Sequence, residues 1–126
     1  MKSRIINSAG GRIITYKQQK NLGTLKTIAE KLGMKLVAAD DDDAETQLGY
    51  FAGFEGFAKS ERKSEAENGC VIFSGLSGKQ IDLVLAELRK AEVVIPLKAV
   101  LTPSNQSWSI KKLTAELAKE RSQLGG

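Results

Sequence analysis

At 126 residues the chain has the length of one domain and can bury a sizeable core. Its 41% apolar and 27% charged residues are ordinary for a soluble globular protein, and no apolar run nears the roughly 20 residues that a bilayer requires. The net charge of +4 hides an asymmetry: nine of the fifteen acids lie between Asp40 and Glu67 against three basic residues, for a local −6, which leaves +10 on the rest of the chain. A basic body of this kind attracts nucleic acid or another polyanion. The lysines are scattered, however, with no Arg/Lys stripe interleaved with aromatics, so solubility is the simpler reading.

The first ten residues offer little to pack and are expected to form a flexible tail. They lack the apolar core of a signal peptide, which predicts a chain that is not exported. After Gly10 and Gly11, the run Arg12, Ile13, Ile14, Thr15, Tyr16 predicts the first strand. Leu22, Leu25, Ile28, Ala29 and Leu32 follow helical spacing, and Gly33 supplies the left-handed position that commonly ends a helix. Residues 35–39, KLVAA, read as a second strand, completing a β-α-β unit with an expected right-handed crossover.

Asp40, Asp41, Asp42 and Asp43 follow. Adjacent carboxylates point in different directions, and the spaced ligands and glycine of a calcium loop are missing. The expectation is a solvated loop with one Asp capping the next helix and no metal. Residues 45–57 predict a short helix docked on the sheet, weakened by Gly49, Gly53 and Gly56. Tyr50, Phe51, Phe54 and Phe57 gather four of the seven aromatic residues, read as core packing, with an exposed partner patch as the alternative. Residues 58–69 carry mixed charge and almost no apolar side chains, as a polar linker between two halves does.

The second half repeats the plan. Val71, Ile72 and Phe73 predict a third strand; Ser77 and Gln80 match a capping box; and Ile81, Val84, Leu85 and Leu88 form the stripe of an amphipathic helix. Residues 93–101 are nearly all apolar, as in a strand covered on both faces that begins near Pro96. Trp108, Ile110, Leu113, Leu117 and Leu124 head a C-terminal helix. The order predicts a single α/β domain over residues 11–126: a mainly parallel four-stranded sheet, order 2-1-3-4, with helices on both faces. A ferredoxin-like sheet is the alternative.

Candidate chemistry is sparse. The turn from Ser74 to Lys79 resembles a phosphate loop, but only two residues separate Gly75 from Gly78, and Gln80 stands where a metal-binding Ser or Thr is needed. The capping box explains these residues; an anion at the helix N-terminus, near Ser74 and Ser77, is the alternative. Lys98 lies in an apolar strand, so it either reaches water past the sheet edge or contacts a ligand. Thr102 and Asn105 follow at the strand end where open α/β sheets bind ligands, although a turn with local caps also accounts for them. Trp108 reads as a hydrophobic anchor. The chain has no His, which removes the usual general base and metal ligand. Cys70, the single cysteine, reads as an inert core thiol of a reducing cytoplasm. No catalytic residue, cofactor or metal is expected.

The strings IFSGL, Gln80 to Leu85, PLKAVLT over residues 96–102, and Asn105 before Trp108 resemble an uncharacterised bacterial family, domain-of-unknown-function family 3783, known for a Pro-Leu-Lys-Ala motif. The resemblance covers about the last 50 residues. It implies a small bacterial cytoplasmic protein, places Lys98 in the family's motif, and brings no activity with it. The expected function is a non-enzymatic binding or regulatory module. Its ligand-binding residues would be Lys98, Thr102, Asn105, Ser74 and Ser77, and its partner a small anionic ligand or a protein, with a homodimer allowed and no membrane. The alternatives are a small enzyme using Lys98 and a nucleic-acid or polyanion binder.

Overall fold

Two β-α-β units meet back to back in one sheet. The computed structural model describes residues 11–125; the expected tail, residues 1–10, lies outside the described residues, as does the side chain of Leu124. Strand β1 (Arg12–Tyr16) leads through a 3-10 turn into helix α1 (Leu22–Leu32), which ends on Gly33 at φ 74°, and then into β2 (Lys35–Ala39), parallel to β1. The second unit is β3 (Cys70–Ser74), α3 (Gly78–Lys90) and β4 (Lys98–Val100), with β4 parallel to β3. The sheet order is β2-β1-β3-β4, as the sequence predicts. Two of the three strand pairs are parallel, and the central pair, β1 with β3, is antiparallel in a register centred on Ile14 opposite Ile72.

That register makes the sheet pseudo-symmetric. A half-turn about an axis between Ile14 and Ile72 exchanges β1 with β3 and β2 with β4. Such a rotation keeps faces, so α1 and α3 must share one. Leu25, Ile28, Val84 and Leu88 accordingly form one core with Ile13, Val71 and Phe73. The other face buries Ile14, Tyr16, Cys70 and Ile72 beneath the short helix α2 (Leu48–Phe51) and the C-terminal helix α4 (Ile110–Gly125). The strict alternation along β1 and β3 sends successive side chains to opposite cores.

The connection between the units starts and ends at one end of the sheet, because Ala39, Tyr16 and Cys70 lie in register. It therefore needs no crossover and can return β3 antiparallel to β1. Residues 40–69 descend across the α4 face to α2 and come back. Tyr16 pins both limbs: its hydroxyl donates to the Asp41 carbonyl and accepts from the Ala66 N–H. Lys17, at φ 57°, adds an ion pair to Glu65 at 2.9 Å and donates to the Ala66 carbonyl.

The acidic run differs from expectation. Gln47, not an aspartate, precedes α2, and it makes no side-chain cap. Asp43 is only 2% exposed and is held by Lys59 at 3.3 Å and Lys63 at 3.1 Å. Asp43 also bridges by its backbone to Ser64, and burial of a carboxylate demands such cationic partners. Residues 58–69 thus serve as the return limb of the connection.

The last strand also differs. The chain leaves α3 through Glu92 at φ 58°, and the kink at Pro96 sends Ile95 and Leu97 to opposite cores. Strand β4 is limited to residues 98–100, flanked by backbone bonds of Leu97 and Leu101 to β3, and because it is outermost, Lys98 and Val100 are exposed rather than covered. Tyr16→Phe should test the central pin. It leaves the buried Ala66 N–H without its acceptor, and denaturant melts should show a loss of about 1–3 kcal/mol, with early hydrogen exchange at Ala66.

Candidate functional site

The residues singled out by sequence fall at two places. Ser74 ends β3, and Ser77, Thr102 and Asn105 lie on the turns after β3 and β4, at the same end of the sheet. Lys98 opens β4 opposite Val71, about 10 Å back along the strands. Ser77 is the N-cap of α3: its hydroxyl accepts from the Gln80 N–H at 3.1 Å, and the Gln80 side chain accepts from the Ser77 N–H at 2.8 Å. The capping box read from sequence is present in full.

Thr102 and Asn105 close their own loop. The Asn105 carboxamide accepts from the Thr102 N–H at 2.9 Å and donates to the Val100 carbonyl at 3.1 Å, while the Thr102 hydroxyl accepts from the Asn105 N–H at 3.2 Å. Ser74 is buried on the same face as Ile72, across from Arg12. Arg12 in turn donates to the Phe51 carbonyl at 3.0 Å, and its guanidinium lies against Gly53 (φ 82°), where any Cβ would fall 2.5 Å from Nη2. A ligand at this end would have to displace bonds that already hold the loops together.

Lys98 is exposed and donates from Nζ to the Ile95 carbonyl at 2.6 Å. On an edge strand a lysine has a structural use, because its charge deters edge-to-edge pairing. Pro96, the short strand and the Asn105 bond to Val100 act in the same sense.

The carboxylates of Asp40, Asp42 and Asp43 converge, with ligand atoms within 4.8 Å of one another. Lys59 pairs with both Asp40 and Asp43, at 3.8 and 3.3 Å, and Lys63 with Asp43 at 3.1 Å. The two lysines offset the charge of the buried Asp43 and fasten the loop, while Asp42 has no ion pair among them. Among the aromatics, Phe51 is core, Phe54 and Phe57 are half-buried, and Tyr50 is 38% exposed. The Phe57 ring lies against Gly49, where a Cβ would fall 2.5 Å from it. Trp108 is half-buried against the α4 core, with the Lys112 ammonium 4.8 Å above its ring.

One further feature had no sequence motif. An open groove of about 560 Å³ runs between α1 and α3, lined by Gly23, Thr24, Thr27 and Ile28 on one side and Glu87, Lys90 and Ala91 on the other. Lys31 at 2.9 Å and Lys90 at 3.4 Å hold Glu87. The Lys31 hydrogen bond foremost keeps this carboxyl below the ordinary glutamate range. The only hint in the sequence is the cluster of small residues on the outward side of α1.

The strand, capped helix, guarded edge strand and last helix form one continuous unit, β3-α3-β4-α4, and this is the segment that a known family covers. Residues 70–124 match the family model described as Domain of unknown function (DUF3783). No curated protein and no solved structure matches the chain. The DUF3783 segment brings the Ser77 cap, Lys98 and the Asn105 closure, whereas Tyr16, the Asp43 fastening and the α1 wall of the groove come from outside it. Among the described residues no helix is long and apolar enough to cross a membrane.

Cys70, at the start of the DUF3783 segment, is fully buried, and burial pushes its thiol from an ordinary value of 9.0 up to about 12. The folded state therefore keeps a proton that the unfolded state releases above pH 9. Stability from this group is complete below pH 9 and should fall by about 1.4 kcal/mol per pH unit from there toward 12. Tyr16, raised chiefly by burial, acts in the same direction. Urea melts between pH 8 and 10.5 should show this decline, and Cys70→Ala should flatten it. At pH 8 a thiol reagent should modify Cys70 only as fast as the protein opens. A second expectation concerns the edge: Lys98→Val should leave the fold intact and increase concentration-dependent aggregation, read by light scattering.

Proposed function

We propose that the protein is a small non-enzymatic binding module of a bacterial cytoplasm, and that its ligand, a small anionic molecule, enters the groove between α1 and α3. The groove carries this reading. Its volume of about 560 Å³ lies within the range of small-molecule sites, and it exists because Gly23, Thr24, Thr27 and Ala91 are too small to fill the space between two helices. Lys90 and Lys31 bring positive charge to its wall, partly offset by Glu87. The non-enzymatic part is supported by the state of the reactive groups. The cysteine is buried as a thiol, Lys98 is exposed on an edge, and the hydroxyls of Ser77 and Thr102 are used as caps. A module working in a reducing cytoplasm fits a chain whose single cysteine stays a thiol.

The test uses a substitution that improves the helix while blocking the groove. A Cβ at Gly23 meets nothing within 4 Å, so Gly23→Leu should raise stability by about 0.5–1 kcal/mol. A thermal-shift screen of nucleotides, phosphates and carboxylates should find a compound that stabilises the wild type and Lys98→Ala but not Gly23→Leu. If no compound shifts the wild type, or if Gly23→Leu responds equally, the groove is not the site.

A further inference from the structure

The two edges of the sheet are built differently, and the difference points to a partner. The β4 edge is three residues long, follows Pro96, carries Lys98, and has its Val100 carbonyl closed by Asn105. The β2 edge has none of these devices. It is five residues long and apolar from Leu36 to Ala39. The Lys35 N–H donates inward to the Gly11 carbonyl at 3.0 Å. Lys35, Val37 and Ala39 therefore turn their backbone groups toward β1, and Leu36 and Ala38 turn theirs outward. Among the described residues nothing bonds those outward groups. Leu36 and Val37 belong to opposite cores and are each only half-buried, so both cores stop unfinished at this edge.

We propose that β2 is a self-association edge, pairing antiparallel with β2 of a second copy of this chain to make a continuous eight-stranded sheet. The charges select both occupant and direction. The strand begins with exposed Lys35 and ends at Asp40, Asp41 and Asp42, of which Asp40 and Asp42 are exposed. Antiparallel pairing brings each Lys35 toward the acidic end of the other copy, whereas parallel pairing would set the two acidic runs side by side. A two-fold axis through Val37 or Ala38 satisfies Leu36 and Ala38 of both copies and keeps each helix pair on its own face. Neither the ion pairs nor the backbone bonds draw on the α1/α3 groove, so the inference stands apart from the ligand reading.

The experiment is sedimentation equilibrium on the full chain across concentration and salt. The wild type should be dimeric at roughly 100 µM, with dissociation promoted by salt. Ala38→Pro removes an outward N–H at an exposed edge position that a monomer tolerates. It should give a monomer with unchanged circular dichroism, and with the wild-type thermal midpoint when both are melted at concentrations too low for the dimer to form. Lys35→Glu, a surface change that leaves the strand intact, should weaken the dimer roughly tenfold or more, because a two-fold interface feels it twice. A wild type that stays monomeric at that concentration overturns the proposal. So does a dimer that survives both Ala38→Pro and Lys35→Glu, which would place the contact elsewhere, for example at the exposed Val94 and Val100 beside β4.

Discussion

The antiparallel seam between β1 and β3 governs this structure. Among the described residues it is where the two β-α-β units exchange backbone hydrogen bonds within the sheet, and its register, with Ile14 facing Ile72, sets everything on either side. Because it is centred on one residue pair, it places Ile13, Val71 and Phe73 together on one face and Ile14, Tyr16, Cys70 and Ile72 on the other. A slip by one residue would turn every one of these side chains to the wrong core. The α1–α3 pair, the α2–α4 cover and the Tyr16 pin all presuppose that register.

The seam also decides where a ligand cannot be expected on topological grounds. In an open parallel sheet the carboxyl ends of all strands share one edge, and a crevice forms there. Here β1 and β2 end near Tyr16 and Ala39, while β3 and β4 end near Ser74 and Val100, at the opposite side of the sheet. The carboxyl ends are divided two and two. Each pair of ends is then closed locally, by the Asp43 fastening on one side and by the Ser77 and Asn105 caps on the other. Among the described residues an open groove lies instead on a face, between α1 and α3, the two helices related by the pseudo-two-fold axis, where α1 presents Gly23, Thr24 and Thr27.

Much of the architecture was legible because it rests on local rules. Gly33, the Ser77–Gln80 box and the apolar stripes of α1 and α3 each encode an element boundary or a face, and the strand order follows from short crossovers. What the sequence hid was long-range. Nothing in the spacing of Asp43, Lys59 and Lys63 announces that they meet, and a run of four aspartates reads as solvated until two lysines from a polar stretch bury one of them. The apolar string around Lys98 reads as a covered strand because composition does not distinguish a central strand from an outer one kinked at Pro96. Ser77, Thr102 and Asn105 are polar groups at strand ends, where both a ligand and a local cap use the same residue types, and the structure uses them as caps. The groove was invisible because it is made by what α1 lacks.

The seam finally explains why the recognised segment needs its other half. Residues 70–124 supply two strands and two helices, and a two-stranded sheet by itself is marginal in water. Strand β3 is buried along its whole length. One side of it is paired with β1, and Cys70 and Ile72 are packed in the core that Ala44, Leu48 and Phe51 of the first half help to build. Remove that half and β3 becomes a five-residue apolar edge with one face uncovered, the arrangement that sheets avoid. Burial of Cys70, and with it the displaced thiol, also depends on residues outside the segment. The first half therefore acts as a structural complement to the family domain: it completes the sheet on β3 and covers the face that α4 alone leaves open. Having done so, it becomes an edge itself, at β2, where the same demand for a neighbour is passed outward.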